Sequence, residues 1–342
     1  MLVLIVMLLS NGCYDDYRRP YDYDAIYTAY QYDLRTFVMG ENQSFDFTVA
    51  LGGVASNQRD RYVSVTLANY LLDVDLSAFS TEVGIDSFTA LDAFLGNAGI
   101  GYVSQPYVGE QVRAAGITSL IPLPESFYTI EGLENMTIKK GRHTAVATIK
   151  ATDSIMEDSH ALAPYYALGF KINSADSDMI IPEMSFEIIA VKCENKHFGY
   201  WYYEGEKSIV DELTSEVIST DRYTADINQP DERSCYLTTV GFNTISTNKS
   251  GGEDNSLLLA IAPDNTITIT DLSGSKSIEM IDGKPSYTNN ALLLQDRKIY
   301  LNYRYSNGDG TMTVVSDILK FKYRIRDGVL EYQDENPEHY EK

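Results

Sequence analysis

Aromatic residues concentrate at two places in the second half of the chain. Residues 200–203 read Tyr-Trp-Tyr-Tyr, and Tyr303 and Tyr305 precede a turn at residues 306–310. Alternate side chains of a strand point to opposite faces, and an exposed tyrosine face offers apolar rings with hydroxyl edges, which suit a sugar ring. The candidate glycan-binding residues are therefore Trp201, Tyr203, Tyr303 and Tyr305. The alternative is that these rings form a packed core.

Residues 319–326 alternate between apolar and basic side chains. The apolar residues are Leu319, Phe321, Tyr323 and Ile325, and the cations are Lys320, Lys322, Arg324 and Arg326. A period of two predicts an antiparallel strand with one apolar face and one cationic face. Such cations can bind an anionic sugar through charge-assisted hydrogen bonds. A solvated outer face is the simpler interpretation.

Residue types that support catalysis do not form a recognisable pattern. The four histidines are scattered, with no pair at helical spacing. The sequence has no nucleophile elbow, zinc-binding helix or phosphate-binding glycine loop. Its 49 acidic residues include many carboxylate pairs, so the sequence does not single out the pair that a glycosidase needs. We expect no catalytic residue, no metal and no cofactor, with a cryptic glycoside hydrolase as an alternative.

The net charge of the chain narrows the possible partners. With 27 basic and 49 acidic residues, the 342-residue chain carries a formal charge of −22. The resulting field repels phosphate backbones, which makes nucleic acid an improbable partner.

An apolar run opens the sequence and leads to a cysteine. Met1–Leu9 is shorter than the ~20 apolar residues that a membrane helix requires. The small residues before Cys13 resemble a lipobox, and the acidic residues after it resemble the signal that sends Bacteroidetes lipoproteins to the outer leaflet. We expect lipid on Cys13, attachment to the outer membrane through that lipid only, and exposure at the cell surface. An oxidising exterior would permit a disulfide between Cys193 and Cys235. The favoured interpretation is two buried free thiols.

Alternation with a period of two dominates the rest of the sequence. It predicts strands at residues 44–51, 63–67, 166–172 and 267–269. The chain has 26 tyrosines against one tryptophan, a composition that favours sheet surfaces. Helical signals are sparse, and the main one is a short helix capped by Ser87 and ended by Gly96. The sequence therefore predicts an all-β protein.

Shifts in composition divide the chain into four parts. A lipoprotein signal and tether occupies residues 1–20, and a β domain with an insertion at about 86–124 follows at 21–194. A second β domain occupies residues 195–334, and a charged tail completes the chain at 335–342.

Seven short segments resemble the Sus-type outer-membrane lipoproteins of Bacteroidetes, which carry two successive β domains of unknown function. The segments are Tyr23–Tyr27, Leu51–Val54, Pro124–Ile130, Ile138–Ala145, Tyr165–Leu168, Phe198–Gly205 and Thr220–Tyr223. The resemblance implies that the first domain is an immunoglobulin-like β-sandwich. It also implies a surface glycan-binding accessory that holds polysaccharide near a Sus-type transporter complex.

The second domain opens with a motif of a different kind. Gly199-Tyr200-Trp201 resembles the Gly-x-Trp strand of lipocalins, in which a basic residue of the last strand covers the indole. Arg324 or Arg326 could supply that cation. An antiparallel, lipocalin-like β-barrel and an open sandwich both remain possible.

The expected function is non-catalytic capture of a glycan or oligosaccharide by stacking on aromatic faces. An adhesin or assembly component that binds protein is the principal alternative. The sequence does not specify which glycan is bound.

Overall fold

The computed structural model of the chain describes residues 23–41, 43–80, 84, 87–96, 106–224 and 233–334. The chain divides into two compact units. Of the described residues, the first unit comprises 23–37 and those from 43 to 192, and the second comprises Val38–Glu41 and those from 193 to 334. Cys13, the tether and the tail at 335–342 lie outside the described residues, so the expectations for them are not addressed by the structure.

The first unit contains two sheets. Their strands are β1 (Ala25–Thr28), β2 (Tyr32–Met39), β3 (Ser44–Gly52), β4 (Arg61–Leu67), β5 (Ile121–Pro122), β6 (Tyr128–Glu131), β7 (Met136–Ile138), β8 (Thr144–Ala151), β9 (Tyr166–Ala175), β10 (Met179–Ile180) and β11 (Phe186–Asn195). One sheet has the order β10-β1-β3-β8-β6, and the other has the order β2-β11-β9-β4-β7, with β5 beside β9.

The two sheets of the first unit pack face to face through aromatic side chains. Phe47 of β3 stacks on Phe170 of β9 with ring centroids 4.4 Å apart. Phe37 of β2 lies 5.1 Å from Phe45 of β3. Alternating burial along β3 and β4 places one apolar face of each strand in this core. The unit is therefore a β-sandwich.

Two short helices lie in the predicted insertion, α1 (Ala90–Leu95) and α2 (Pro106–Ala115). The cap of α1 is Thr89 rather than the expected Ser87: Thr89 and Asp92 form a reciprocal capping box, which satisfies two backbone N–H groups that a helix start leaves open. Gly96 ends α1 in the left-handed conformation, as predicted. Phe94 and Val112 are buried in the core of the first unit.

Short 3₁₀ helices occur in both units, at Asn69–Leu72, Ser77–Phe79, Glu125–Phe127, Asp153–Glu157, Ser159–Leu162, Pro182–Met184 and Leu294–Asp296.

The second unit is built on one large antiparallel sheet. Its strands are β12 (Gly199–Asp211), β13 (Val217–Tyr223), β14 (Ser234–Gly241), β15 (Thr244–Ser250), β16 (Glu253–Ile261), β17 (Ile267–Asp271), β18 (Glu279–Met280), β19 (Tyr287–Thr288), β20 (Lys298–Ser306), β21 (Thr311–Arg326) and β22 (Val329–Glu331). The order is β17-β16-β15-β14-β12-β21-β20-β18. In addition, β13 pairs with β12, β19 with β20, and β22 with β21.

This sheet curls into a nearly closed barrel. An antiparallel bridge between Thr266 and Tyr287 brings the start of β17 next to β19, which is paired with β20. Two backbone hydrogen bonds also join these segments: the N–H of Ile267 donates to the carbonyl oxygen of Ser286, and the N–H of Thr288 donates to that of Asn265. The inner faces of the strands form one apolar core. The prediction of an all-β chain is confirmed. Of the two alternatives that the sequence left open for the second domain, the curled and nearly closed sheet corresponds to the barrel.

The connection between the units has two features that the sequence did not indicate. The polar segment expected at the boundary is partly strand, because β11 runs without a break through Lys192 and Cys193 to Asn195. The second unit also includes residues 38–41, which are distant from it in sequence.

Candidate functional site

The aromatic run at 200–203 lies in β12 and alternates between two environments. Trp201 and Tyr203 are buried in the barrel, whereas Tyr200 and Tyr202 lie on the outer face. The indole N–H of Trp201 donates to the carbonyl oxygen of His197 at 3.0 Å. Its ring packs edge-on against Phe321, with centroids 5.5 Å apart. Trp201 is therefore part of the barrel core.

Tyr303 and Tyr305 of β20 also point into the barrel and are buried. Their rings are nearly parallel, with centroids 6.3 Å apart. The hydroxyl of Tyr303 donates to Ser250 Oγ at 3.0 Å and accepts from Asn255 Nδ2 at 3.1 Å. The four residues proposed from the sequence to bind glycan thus share the interior of the barrel. A sugar would reach them only from inside, and their role stays a prediction.

A buried carboxyl group that the sequence analysis missed lies next to these rings. Asp317 of β21 accepts hydrogen bonds from Ser250 Oγ at 2.5 Å, from the backbone N–H of Gly251 at 2.9 Å, and from the hydroxyl of Tyr223. Burial raises the pKa of Asp317, and these hydrogen bonds partly oppose the increase. The available signal was one acidic residue at the inward position between Val315 and Leu319 of β21. With its oxygens satisfied by the protein, this carboxyl group organises the core.

The outer face of β14, β12 and β21 carries three adjacent tyrosines, Tyr236, Tyr200 and Tyr323, which we call the outer tyrosine row. Tyr200 lies opposite Tyr236 on one side and Tyr323 on the other. Its ring stacks on Tyr323 with centroids 4.7 Å apart, and it meets Tyr236 at the same distance with a steeper angle. Tyr200 and Tyr236 are 36% and 38% exposed. The row presents accessible ring faces and hydroxyl groups together, which is the combination that a sugar ring requires.

A β-bulge at Lys322 creates this row. Tyr200 pairs with Tyr323 whereas the next residue, Trp201, pairs with Phe321, so β21 has one extra residue at this point. An extra residue reverses the alternation of the strand beyond it. Tyr323 and Ile325 consequently face outward and Arg324 is buried. This corrects the expectation that Tyr323 and Ile325 would share the apolar face and that Arg324 would be solvated.

The buried Arg324 has a different role from the one inferred by analogy with lipocalins. Its guanidinium lies 5.2 Å from the ring centroid of Phe198, so it covers Phe198 where a stack on Trp201 was expected. It also binds Glu41, with Nη1 2.9 Å from Oε2, and Arg297 Nη2 lies 2.9 Å from Oε1 of the same carboxylate. Burial alone would raise the pKa of Glu41, but the two guanidinium groups outweigh it and lower the pKa to about 2.

Among the described residues, no group of three or more His, Cys, Asp or Glu side chains is placed to hold a metal ion. In the same part of the chain, no helix is both long enough and apolar enough to cross a membrane. Cys193 and Cys235 are buried free thiols, as the sequence analysis favoured.

Comparison with known proteins finds a solved structure with a similar fold. The chain matches no protein-family model and no curated protein. A solved structure of a Bacteroides ovatus protein of unknown function is similar to it, with 16% sequence identity and a TM-score of 0.58. That match covers 92% of this chain and 99% of the other.

Two further solved structures are more distant. One is a multidomain protein including DUF1735 from Bacteroides ovatus, with 11% identity and a TM-score of 0.40, covering 90% of this chain and 97% of that one. The other is an auxiliary nutrient binding protein from Bacteroides thetaiotaomicron, with 12% identity and a TM-score of 0.38, covering 87% and 92%. Scores this low do not indicate a shared fold. The chain therefore has the overall fold of a Bacteroides ovatus protein whose function is unknown.

Proposed function

We propose that this protein is a non-catalytic glycan-binding lipoprotein, anchored by lipid on Cys13 and exposed on the outer membrane of a Bacteroidetes cell. In this proposal it holds polysaccharide for a Sus-type uptake system. The lipobox-like segment and the family resemblance support the location and the system. The outer tyrosine row supports the glycan, and it is the observation that carries the proposal.

The physical reason is that Tyr200 and Tyr236 are exposed and Tyr323, beside Tyr200, is half-buried. Stacked rings that stay open to solvent keep an apolar face available to a partner, and their hydroxyl groups can bind sugar hydroxyls. Because these strands belong to the barrel sheet, the rings are already held in place. Binding therefore costs little ordering of the protein.

The test is calorimetry and a glycan array on the chain from residue 21 onward, which retains every described residue. Tyr200→Ala and Tyr323→Ala should each weaken glycan binding by about 2- to 10-fold, since one aromatic stack is worth about 0.5–1.5 kcal/mol. Tyr62→Ala is the matched control, because Tyr62 is 64% exposed in β4 of the first unit. Its affinity should equal that of the parent.

Two outcomes would overturn the assignment of this site. A binding loss in Tyr303→Phe with none in Tyr200→Ala would move the site to the barrel interior. A parent protein that binds no glycan on the array, yet binds a protein of the cell surface, would favour the adhesin alternative.

A further inference from the structure

A chain of hydrogen bonds runs through the barrel interior and ends at an amide oxygen. Its inner end is Asp317, which accepts from Ser250 Oγ. Ser250 Oγ accepts from the hydroxyl of Tyr303 at 3.0 Å, and that hydroxyl accepts from Asn255 Nδ2 at 3.1 Å. An ionised carboxylate can only accept, so each group of the chain donates toward Asp317. The amide of Asn255 therefore presents Oδ1 at the outer end, where the next partner must be a donor.

The donor at this outer end is the ammonium group of Lys276. Its Nζ lies 3.2 Å from Asn255 Oδ1 and 4.7 Å from the ring centroid of Tyr305. Asn255 and Tyr305 are buried, and the lysine side chain is half-buried. Among the residues that the structure describes, no carboxylate forms an ion pair with Lys276. Lysine side chains usually keep the charged group in water, so this placement is unusual for a surface lysine.

An aromatic ring and an acceptor oxygen side by side are the elements of an ammonium-binding site. The ring of Tyr305 attracts a cation through its quadrupole, and Asn255 Oδ1 accepts from an N–H group. Hydrogen bonds in a chain polarise one another, so the carboxylate of Asp317 strengthens Oδ1 as an acceptor. The formal charge of −22 on the whole chain favours a cationic ligand as well. The barrel therefore contains an ammonium site, which Lys276 fills.

The turn that carries Lys276 is separate from the strands that carry the other two residues. Residues 272–275 are exposed and read Leu-Ser-Gly-Ser, between β17 and β18. The turn is held by the carboxylate of Asp271, which accepts from several of its groups, including the backbone N–H of Lys276 at 2.9 Å. Asn255 lies in β16 and Tyr305 in β20. Withdrawal of the lysine would therefore leave the ring and the acceptor in place.

We propose that this part of the barrel binds a small molecule with a primary ammonium group, which replaces the ammonium group of Lys276 beside Tyr305 and Asn255. Lys276 is then an internal competitor that occupies the site when the ligand is absent. The site lies inside the barrel and does not require glycan binding at the outer tyrosine row.

The test uses n-butylammonium, which reproduces the end of a lysine side chain, and n-butanol as its uncharged counterpart. Calorimetry on the chain from residue 21 onward compares the parent with Lys276→Ala. Loss of the internal competitor should tighten binding of n-butylammonium by about tenfold, and binding of n-butanol should not improve. Lys284→Ala is the matched control, because it removes an exposed lysine of the same unit. It should bind like the parent.

The residues that contact the ammonium group provide a second comparison. In the Lys276→Ala background, Tyr305→Leu and Asn255→Leu should each remove most of the gain, because the first removes the ring and the second removes the acceptor. Tyr287→Leu, at a tyrosine that is 39% exposed on the same sheet, should retain the gain. Thermal melts show whether each variant is folded.

Displacement of Lys276 is measured in the parent, so it does not depend on the folding of a variant. With ¹³C-labelled lysine, the nuclear magnetic resonance signal of the Lys276 side chain is shifted by the nearby ring of Tyr305. Saturation with n-butylammonium should move this signal toward the position of an exposed lysine, and n-butanol should leave it unchanged.

Two results would overturn the proposal. One is equal affinity of the parent and Lys276→Ala for n-butylammonium, with no change in the Lys276 signal of the parent. The other is a gain in Lys276→Ala that n-butanol shares, because it would mean that the substitution opens a cavity without selectivity for an ammonium group.

Discussion

Glu41 shows how a single residue can hold part of this molecule together. Its carboxylate is only 19% exposed and accepts hydrogen bonds from Arg297 and Arg324, both of which are buried. Removing one member of such a buried cluster leaves the remaining charges without a partner. The stability of the second unit should therefore depend on the ionised form of this one side chain.

The pH dependence of stability tests that dependence. The pKa of Glu41 is lowered from 4.5 to about 2, so the ionised form favours the folded state. The difference corresponds to about 3 kcal/mol in the free energy of unfolding, present above pH ~4.5 and lost as the pH falls toward ~2. Urea unfolding of Glu41→Gln should show a deficit of about this size at neutral pH, and the deficit should narrow below pH ~4.5.

Glu253→Gln provides the control for Glu41→Gln. Glu253 pairs with Lys207 at the surface, where its side chain is 44% exposed. An exposed pair is worth about 0–1 kcal/mol, so this variant should unfold almost like the parent. A deficit in Glu41→Gln that stays constant from neutral to acidic pH would mean that packing, rather than charge, is responsible.

At the scale of the element, β21 shows which features the sequence could predict. The alternation in residues 319–326 correctly predicted an antiparallel strand, and the alternation in 200–203 correctly separated two faces. The bulge at Lys322 left no trace in that pattern, because Tyr323 and Ile325 are apolar enough for either face. Which face of residues 200–203 is inward depends on strands far away in sequence, so the outward-facing pair, Tyr200 and Tyr202, was not selected.

Glycines in the barrel strands carry information that alternation does not. A Cβ added at Gly205 would lie 2.2 Å from the carbonyl oxygen of Ser316 and 2.7 Å from Oδ1 of Asp317. A Cβ added at Gly241, also in a barrel strand, would meet nothing closer than 3.5 Å. The absence of a side chain at Gly205 therefore leaves space for the buried carboxyl group, whereas a Cβ at Gly241 would be accommodated without a clash.

Substitution by alanine should affect the stability of the protein differently at the two glycines. Gly241→Ala should leave stability unchanged or raise it by up to about 1 kcal/mol, because alanine restricts the unfolded chain. Gly205→Ala should lower it by about 1–3 kcal/mol, since backbone and a carboxylate must move. Thermal melts of the two variants decide the matter, and equal melting temperatures would show that Asp317 does not need the space.

At the scale of the whole molecule, the proposed lipid anchor makes a direct prediction. Cys13→Ala should move the protein from the membrane fraction to the soluble fraction, because the lipid would be the only attachment and Met1–Leu9 is too short to span a bilayer. Cys193→Ala, which removes a buried thiol, should stay with the membrane. Retention of Cys13→Ala in the detergent phase would refute lipidation at this cysteine.

The second unit includes residues 38–41, and this predicts how a fragment without them would behave. A fragment of residues 193–334 lacks Glu41, so it leaves Arg297 and Arg324, which are 4% and 2% exposed, without that carboxylate. Arg324 keeps its ion pair with Glu331, at 2.5 Å, in the fragment. Arg297 loses the carboxylate with which it pairs, so the loss of Glu41 affects Arg297 more than Arg324. The fragment should therefore unfold at a lower temperature than the second unit within the chain from residue 21 onward.

The effect of Arg297→Leu on stability should then have opposite signs in the longer chain and in the 193–334 fragment. In the longer chain, Arg297→Leu removes a partner of Glu41 and should destabilise by about 3–5 kcal/mol, the usual consequence of breaking a buried ion pair. In the 193–334 fragment the same change removes a buried cation that has already lost Glu41, and the melting temperature should rise. Destabilisation in both contexts would show that Arg297 stabilises the barrel without Glu41, through its packing and its hydrogen bonds to the carbonyl oxygens of Lys196, Ala291 and Leu292.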